Sequence, residues 1–200
     1  MNADDVRVLA CDTVFQGYFR VDRYRLQHRR HDGGWSQELT REVFERGHAV
    51  AVLPYDPLRD EVVLIEQFRA GAHAAGWAPW QLEVVAGIID PGETPEEVAR
   101  RESQEEAGLA ILELAPIADF LNSPGAVSQT ERLFCGRVDA SGAGGIHGLE
   151  HEGEDIKVIV VPFAELRSLL AAKKVTNAPG LIALQWLLLN RDELRARWCG

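Results

Sequence analysis

The sequence predicts a mixed α/β or α+β layered domain preceded by an antiparallel arm, and three observations predict it. Two strongly apolar runs, 49–55 and 61–68, face each other across an Asp56-Pro57 turn, as neighbouring buried strands do. A capped helical segment at 95–107 has strand-like runs on both sides. Ahead of all this, residues 17–30 partly alternate between apolar and polar, and Asp32-Gly33-Gly34 supplies a turn.

Taken in order, 17–30 reads as a half-buried strand and 35–46 as the strand that returns from the turn. The residues alone allow this hairpin to be a dimerisation arm or an outer layer of one domain, and lean to the arm. The expected division is therefore 1–46 for the arm and 47–200 for the main domain. Segment 71–79 (GAHAAGWAP) reads as a loop and 80–86 (WQLEVVA) as one strand. Thr94 can cap the next helix, with Pro95 at its first position and Glu97 closing a T-x-x-E box; Gly108 ends it. Further strands are expected at 111–120, 131–139 and 156–162, a short helix at 163–172, and a last helix from about Gly180 to Arg197. No internal repeat and no low-complexity tract is found.

The chain has 200 residues, 46% hydrophobic and 26% charged, which suits an ordinary folded domain. Its formal net charge of −10 argues against nonspecific nucleic-acid binding, which gains from a positive field. A nucleotide substrate remains compatible, because divalent cations reverse the local potential. Cys11, Cys135 and Cys199 are far apart and show no C-x-x-C, so neither a disulfide framework nor a zinc site is expected. The opening MNADDVRVLACD has no long apolar core and reads as no signal peptide. The apolar stretch Leu181 to Leu189 is too short to span a bilayer. A cytoplasmic protein with no membrane partner is the expectation.

Chemistry concentrates in 87–109, GIIDPGETPEEVARRESQEEAGL. On a helix, Glu102 and Glu106 lie one turn apart on one face with Glu105 beside them. Such carboxylates repel unless a cation sits between them, and oxygen donors of this kind suit magnesium. A run of Glu is most often a solvated face, but the spacing here is specific. Gly87, five residues, Glu93, seven residues, Arg101-Glu102, two residues, Glu105-Glu106, one residue and Gly108-Leu109 resembles the Nudix box, G-x5-E-x7-R-E-U-x-E-E-x-G-U. Ser103 is the one departure, standing where an apolar residue is usual.

The resemblance implies roles and a fold, the Nudix α/β/α sandwich with a mixed sheet. Glu102 and Glu106 would be the main metal ligands, the carbonyl of Ala86 and Glu154 further ones, and Glu105 a catalytic support. Gly87 would let the loop approach closely, while Glu93 and Arg101 would tie loop to helix or form an ordinary surface pair. Similarity to bacterial ADP-ribose pyrophosphatases extends along QGYF (16–19), REVFERGHAVAVLPYDP (41–57), VVLIEQFRAGA (62–72), FLNSPGAVSQTE (120–131), GIHGLEHEGEDIKV (145–158) and NAPGLIALQWL (177–187). Pro124, fifteen residues past Leu109, sits where such a proline accompanies ADP-ribose specificity, though Ser-Pro-Gly is also plain turn chemistry.

The glycine-rich acidic segment 141–155 reads as a mobile loop able to close over a diphosphate, or as a solvated loop. By resemblance Glu152 is the general base. Tyr18 and Arg69 would sandwich the adenine, Tyr18 coming from a partner subunit, and Arg41 would bind substrate from the same arm. From the residues alone Tyr18 could instead be a strand core residue, and Arg69 could lie on the surface. His28, His31, His48, His73, His147 and His151 show no metal-ligand spacing and receive no role. The implied protein is a homodimer with exchanged arms that uses Mg2+, with Mn2+ as a substitute, to convert ADP-ribose and water to AMP and ribose 5-phosphate. The rival readings are a Nudix enzyme for another nucleoside diphosphate sugar such as GDP-mannose, a non-catalytic nucleotide-sensing regulator, and a purely structural acidic-helix protein.

Overall fold

A computed structural model describes residues 3–199, which fall into two compact units. The first comprises Met1–His48 with Leu121–Thr130. Its sheet has three antiparallel strands in the order β1 (Val6–Gln16), β2 (Arg20–His28) and β3 (Leu39–Glu45). The expected return strand is thus shorter than 35–46, and β1 was not expected at all. Two register shifts, between Val8 and Ala10 and between Thr13 and Phe15, break its alternation and explain why period-two reading misses it. Arg23 of β2 pairs with Glu42 of β3 at 2.8 Å, and Arg25 with Glu38 just ahead of β3 at 2.6 Å. The Trp35 ring is flanked by the Arg7 and Arg29 guanidiniums, 3.8 and 4.3 Å from its centroid. The segment 121–130, which holds Ser123-Pro124-Gly125, joins this unit: Phe44 N donates to Ala126 O at 2.8 Å and Ser128 Oγ to Glu45 at 2.6 Å.

The second unit, Ala49–Phe120 with Glu131–Gly200, holds the mixed sheet. Its strands are β4 (Ala49–Asp56), β5 (Glu61–Phe68), β6 (Trp80–Glu83), β7 (Val85–Ile88), β8 (Glu113–Leu121), β9 (Thr130–Arg137), β10 (Ile146–His147) and β11 (Ile156–Pro162). Their order is β10-β11-β5-β4-β9-β8, with β6 on β5 and β7 on β4; β4 and β9 are parallel. The helices are α1 (Ala70–Ala74), α2 (Pro95–Ala107), α3 (Leu166–Ala171) and α4 (Ala178–Cys199). Helix α1 occupies part of the expected 71–79 loop, a single turn with no buried residue.

Every residue of β4 is buried because helices cover both sheet faces. Val50, Val52, Val63 and Ile65 pack with Val98 and Ala99 of α2. The alternate residues Leu53, Tyr55, Val62 and Leu64 pack with Leu184, Leu187 and Leu194 of α4. The expected α/β/α sandwich and separate antiparallel arm are both found. No helix among the described residues is long and apolar enough to cross a membrane.

One topological detail positions the chemistry. Strands β4 and β5 pair only beside their turn, at Tyr55↔Val62 and Asp56↔Glu61, and then diverge. Segment 80–86, expected as one strand, belongs to two that fill the gap and run on to Ile88: β6 pairs with β5, and after Val84, β7 pairs with β4. Ala86 and Gly87 therefore lie in the sheet on the strand that packs against α2.

Candidate active site

Helix α2 begins as its sequence predicts. Glu97 N donates to Thr94 Oγ1 at 3.3 Å, and Thr94 N donates back to the Glu97 carboxylate at 2.8 Å. Gly108 ends the helix in the left-handed region, φ +67°, which few other residues adopt cheaply. Val98, Ala99 and Ala107 anchor one face in the core. Ser103 is buried with them, and its hydroxyl has no hydrogen-bond partner among the described residues.

The helix then presents its carboxylates to the β7 backbone. Glu106 is 2% exposed, and its Oε2 accepts from Ala86 N at 3.1 Å. Glu102 stands so close to Gly87 that a Cβ there would lie 1.9 Å from its Oε1, so any side chain at 87 would displace this carboxylate. Arg101 joins three carboxylates. Its Nε and Nη2 fork onto Glu93 at 3.1 and 3.2 Å, and Nη1 donates to Glu102 at 2.9 Å and Glu105 at 3.1 Å. Glu93 also accepts from Asp90 N at 3.2 Å, which ties the loop to the helix.

Burial sets the electrostatics. It pushes the Glu102 carboxyl up to about 7, against the pull of Arg101, with Glu105 and Glu154 adding repulsion. Burial likewise raises Glu106 to about 8, opposed by the Ala86 N–H and Arg69 and reinforced by Glu102 and Glu154. Glu102, Glu106 and Glu154 therefore lie within mutual electrostatic reach.

Among the described residues no three His, Cys, Asp or Glu groups converge on one metal position. Each carboxylate leans on a local donor instead: Glu102 on Arg101, Glu106 on Ala86, and Glu154 on Leu149 N at 3.0 Å. The donor set nonetheless fits a hard divalent cation. It offers only oxygen, on one buried and one largely buried carboxylate that are costly to charge without a counter-ion. Glu152 differs from these: it sits in the 3-10 turn Glu150–Glu152, more than half exposed, 3.6 Å from the His151 ring.

The remaining sequence candidates are placed as follows. Arg69 follows β5 and is paired with Glu83 through Nε at 2.9 Å and Nη2 at 2.8 Å. Sequence reading missed Glu83; the register Ile65↔Glu83 across β5 and β6 was its only signal. It also missed Gln67, which is buried and whose Nε2 has no hydrogen-bond partner among the described residues. Tyr18 and Arg41 belong to the other unit. Tyr18 is 90% exposed and touches Phe19 edge-on at 4.7 Å; Arg41, on β3, donates to Thr40 O at 2.8 Å.

The NUDIX domain pattern matches residues 45–184, well over half of the chain and spanning the whole carboxylate helix. The chain belongs to the Nudix family. This Nudix protein is 48% identical over 195 residues to an ADP-ribose pyrophosphatase of Escherichia coli strain K12, covering 98% of the chain and 93% of the relative. It is 42% identical to an ADP-ribose pyrophosphatase of Haemophilus influenzae, covering 97% and 91%. A GDP-mannose pyrophosphatase of Enterobacter sp. strain 638 is 33% identical over 75% of the Nudix chain and 78% of its own. The crystal structure of an ADP compounds hydrolase superposes with a TM-score of 0.71, covering 97% and 96% at 22% identity, which shows the shared fold.

Proposed function

We propose that this chain is a hydrolase of the ADP-ribose diphosphate, producing AMP and ribose 5-phosphate. The observation that carries the reading is the complete box, whose buried Glu106 and largely buried Glu102 stand beside Ala86 and Gly87, in a chain 48% identical to an ADP-ribose pyrophosphatase over 98% of its length. A silent regulator has no need to keep two carboxylates at that electrostatic cost.

Glu102, Glu106, Glu154 and the Ala86 carbonyl would hold Mg2+, with Mn2+ as a substitute. A divalent ion there supplies charge neutralisation of the diphosphate and Lewis acidity at phosphorus. Glu105 and Glu93, joined through Arg101, keep the helix face and its loop in register. Glu152, more than half exposed in its 3-10 turn, accepts the proton of the attacking water. Arg69, positioned by Glu83, orients the nucleotide, and Tyr18 and Arg41 complete its binding.

Those last two roles go with a homodimer that exchanges its arms. Support comes from β1, where Val6, Val8, Leu9, Val14 and Phe15 are all exposed, as is Tyr18. A cytoplasmic setting agrees with three free cysteines. Neither a nucleic acid nor a membrane is a partner in this reading.

A side-by-side assay of ADP-ribose, GDP-mannose, NADH and diadenosine polyphosphates with Mg2+ tests the proposal. ADP-ribose is expected to give a kcat/KM at least about tenfold above the others, a difference of ~1.4 kcal/mol in transition-state stabilisation. A higher value for GDP-mannose would reassign the substrate, and no turnover of any of them would remove the hydrolase reading.

A further inference from the structure

The carboxylate loop is joined to the box helix at its neck, and a histidine makes the joint. Strands β10 and β11 pair through Ile146↔Lys157 and His147↔Ile156, so residues 148–155 form a closed excursion that carries Glu152 and Glu154. Beneath the neck lies the end of α2. A Cβ on Gly108 would stand 2.8 Å from Cε1 of His147, so the imidazole is seated on the bare backbone of that glycine. Gly108 thus has two reasons to be glycine: its φ of +67° and the ring that covers it.

Two further contacts fix the seat. His147 Nε2 lies 2.9 Å from the carbonyl oxygen of Gly144; a carbonyl only accepts, so Nε2 carries the proton and donates. Next along the chain, Gly148 N donates to Glu105 O at 3.3 Å, inside the box itself. Gly148 in turn takes φ +100° and leaves no room for a side chain, because a Cβ would meet the Glu154 Cβ at 2.7 Å. The chain of contacts runs from the helix end through His147 and Gly148 to Glu154. The charge of Glu154 acts on both Glu102 and Glu106. The ring also borders a cavity of about 250 Å³, which Gly108 and Gly144 line together with Asp139 and Ala143. The seat thus consists of the Gly108 backbone and the Gly144 carbonyl, at the edge of that cavity.

We propose that His147 is a positioning residue for hydrolysis: seated on Gly108 and tied to Gly144, it sets the loop that carries Glu152 and Glu154 in register with Glu102 and Glu106. The inference rests on the hydrolase reading and adds to it a residue for which neither metal ligation nor proton transfer is claimed.

The test compares wild type, His147→Ala and His147→Gln by hydrogen exchange across 146–155, by thermal melting, and by ADP-ribose kinetics at saturating Mg2+. Loss of the seat opens the loop locally, so exchange in His147→Ala should rise at least about tenfold with little change in melting. Misplacing the loop by about an ångström should lower kcat ~10- to 100-fold while KM changes less than about threefold. His147→Gln keeps a side-chain N–H for Gly144 and should recover most of the kcat. Unchanged exchange across 146–155 in His147→Ala overturns the proposal, whatever the kinetics. So does a kcat within about twofold of wild type, or a fall in kcat that only tracks a lowered melting temperature in both variants. If wild type itself leaves ADP-ribose intact, the hydrolase reading fails, and the exchange comparison still decides the joint.

Discussion

Glu106 is buried with a backbone N–H as its hydrogen-bond donor, and Glu102 stands one helical turn away. Changing either to Gln should lower ADP-ribose turnover by ~10² or more while leaving the fold intact, since one of two repelling charges is removed. Near-normal turnover of both variants at saturating Mg2+ would remove them from the machinery. The same burial has a consequence for stability. With carboxyls raised to about 7 and about 8 in the folded chain, against 4.5 in the unfolded one, the folded state binds more protons between these limits. Stability in EDTA should therefore be fullest below pH 4.5 as far as these two groups are concerned, and fall as pH rises through 8. Mg2+ competes with those protons, so the melting-temperature rise it produces should grow from about pH 6 to about pH 8.5. An increment that shrinks over that range would show that Mg2+ binds elsewhere. Ser103 offers a separate test: its buried hydroxyl lacks a partner, so Ser103→Ala should raise stability by ~1 kcal/mol in chemical denaturation. A loss of that size instead would show that the hydroxyl is satisfied.

At the level of elements, the loop 148–155 carries the proposed ligand and the proposed base in different surroundings. Glu154 is tethered by Leu149 N, whereas Glu152 is more than half exposed in its 3-10 turn. Glu152→Gln should lower kcat by ~10² to 10⁴ with Mg2+ and substrate affinity nearly unchanged. Full activity there, with Glu154→Gln or Glu150→Gln inactive, would move the base to another carboxylate. Elements whose signals are local were legible in sequence. The α2 cap, its Pro95 start and its Gly108 end need only neighbours within a turn, and the runs 49–55 and 61–68 are apolar because both faces are covered. Elements defined by distant partners were not. The break at Val84 exists because β4 and β5 diverge, and β1 is irregular where two bulges interrupt it. The site follows the same division. Glu102, Glu106, Glu93 and Arg101 share one motif, while the pairing of Arg69 with Glu83 and the seat of His147 on Gly108 depend on register and packing that spacing does not encode.

At the scale of the whole molecule the open matter is how many chains make one site. Tyr18 and Arg41 lie in the unit built on the three-stranded arm, and Arg69 and the box lie in the unit built on the mixed sheet. The exposed apolar side chains of β1 and the exposed Tyr18 ring are surfaces that a second copy would cover. If arms are exchanged, Tyr18 of one subunit stacks on the adenine held by Arg69 of the other. Stacking on an aromatic ring is worth ~1 to 3 kcal/mol per base, so Tyr18→Ala should raise KM for ADP-ribose about ten- to hundred-fold and leave Mg2+ binding in place. Mixing chains gives the sharper result. In a heterodimer of Glu106→Gln and Tyr18→Ala subunits, exchange places both lesions in one site and leaves the other site whole. Equal mixing with free reassortment should then return about a quarter of wild-type sites, read as activity at low ADP-ribose where neither parent contributes much. Without exchange every site keeps one lesion and nothing returns. A monomer by light scattering, or no recovery once mass spectrometry has shown that heterodimers formed, would place each site within a single chain and leave Tyr18 without a part in it.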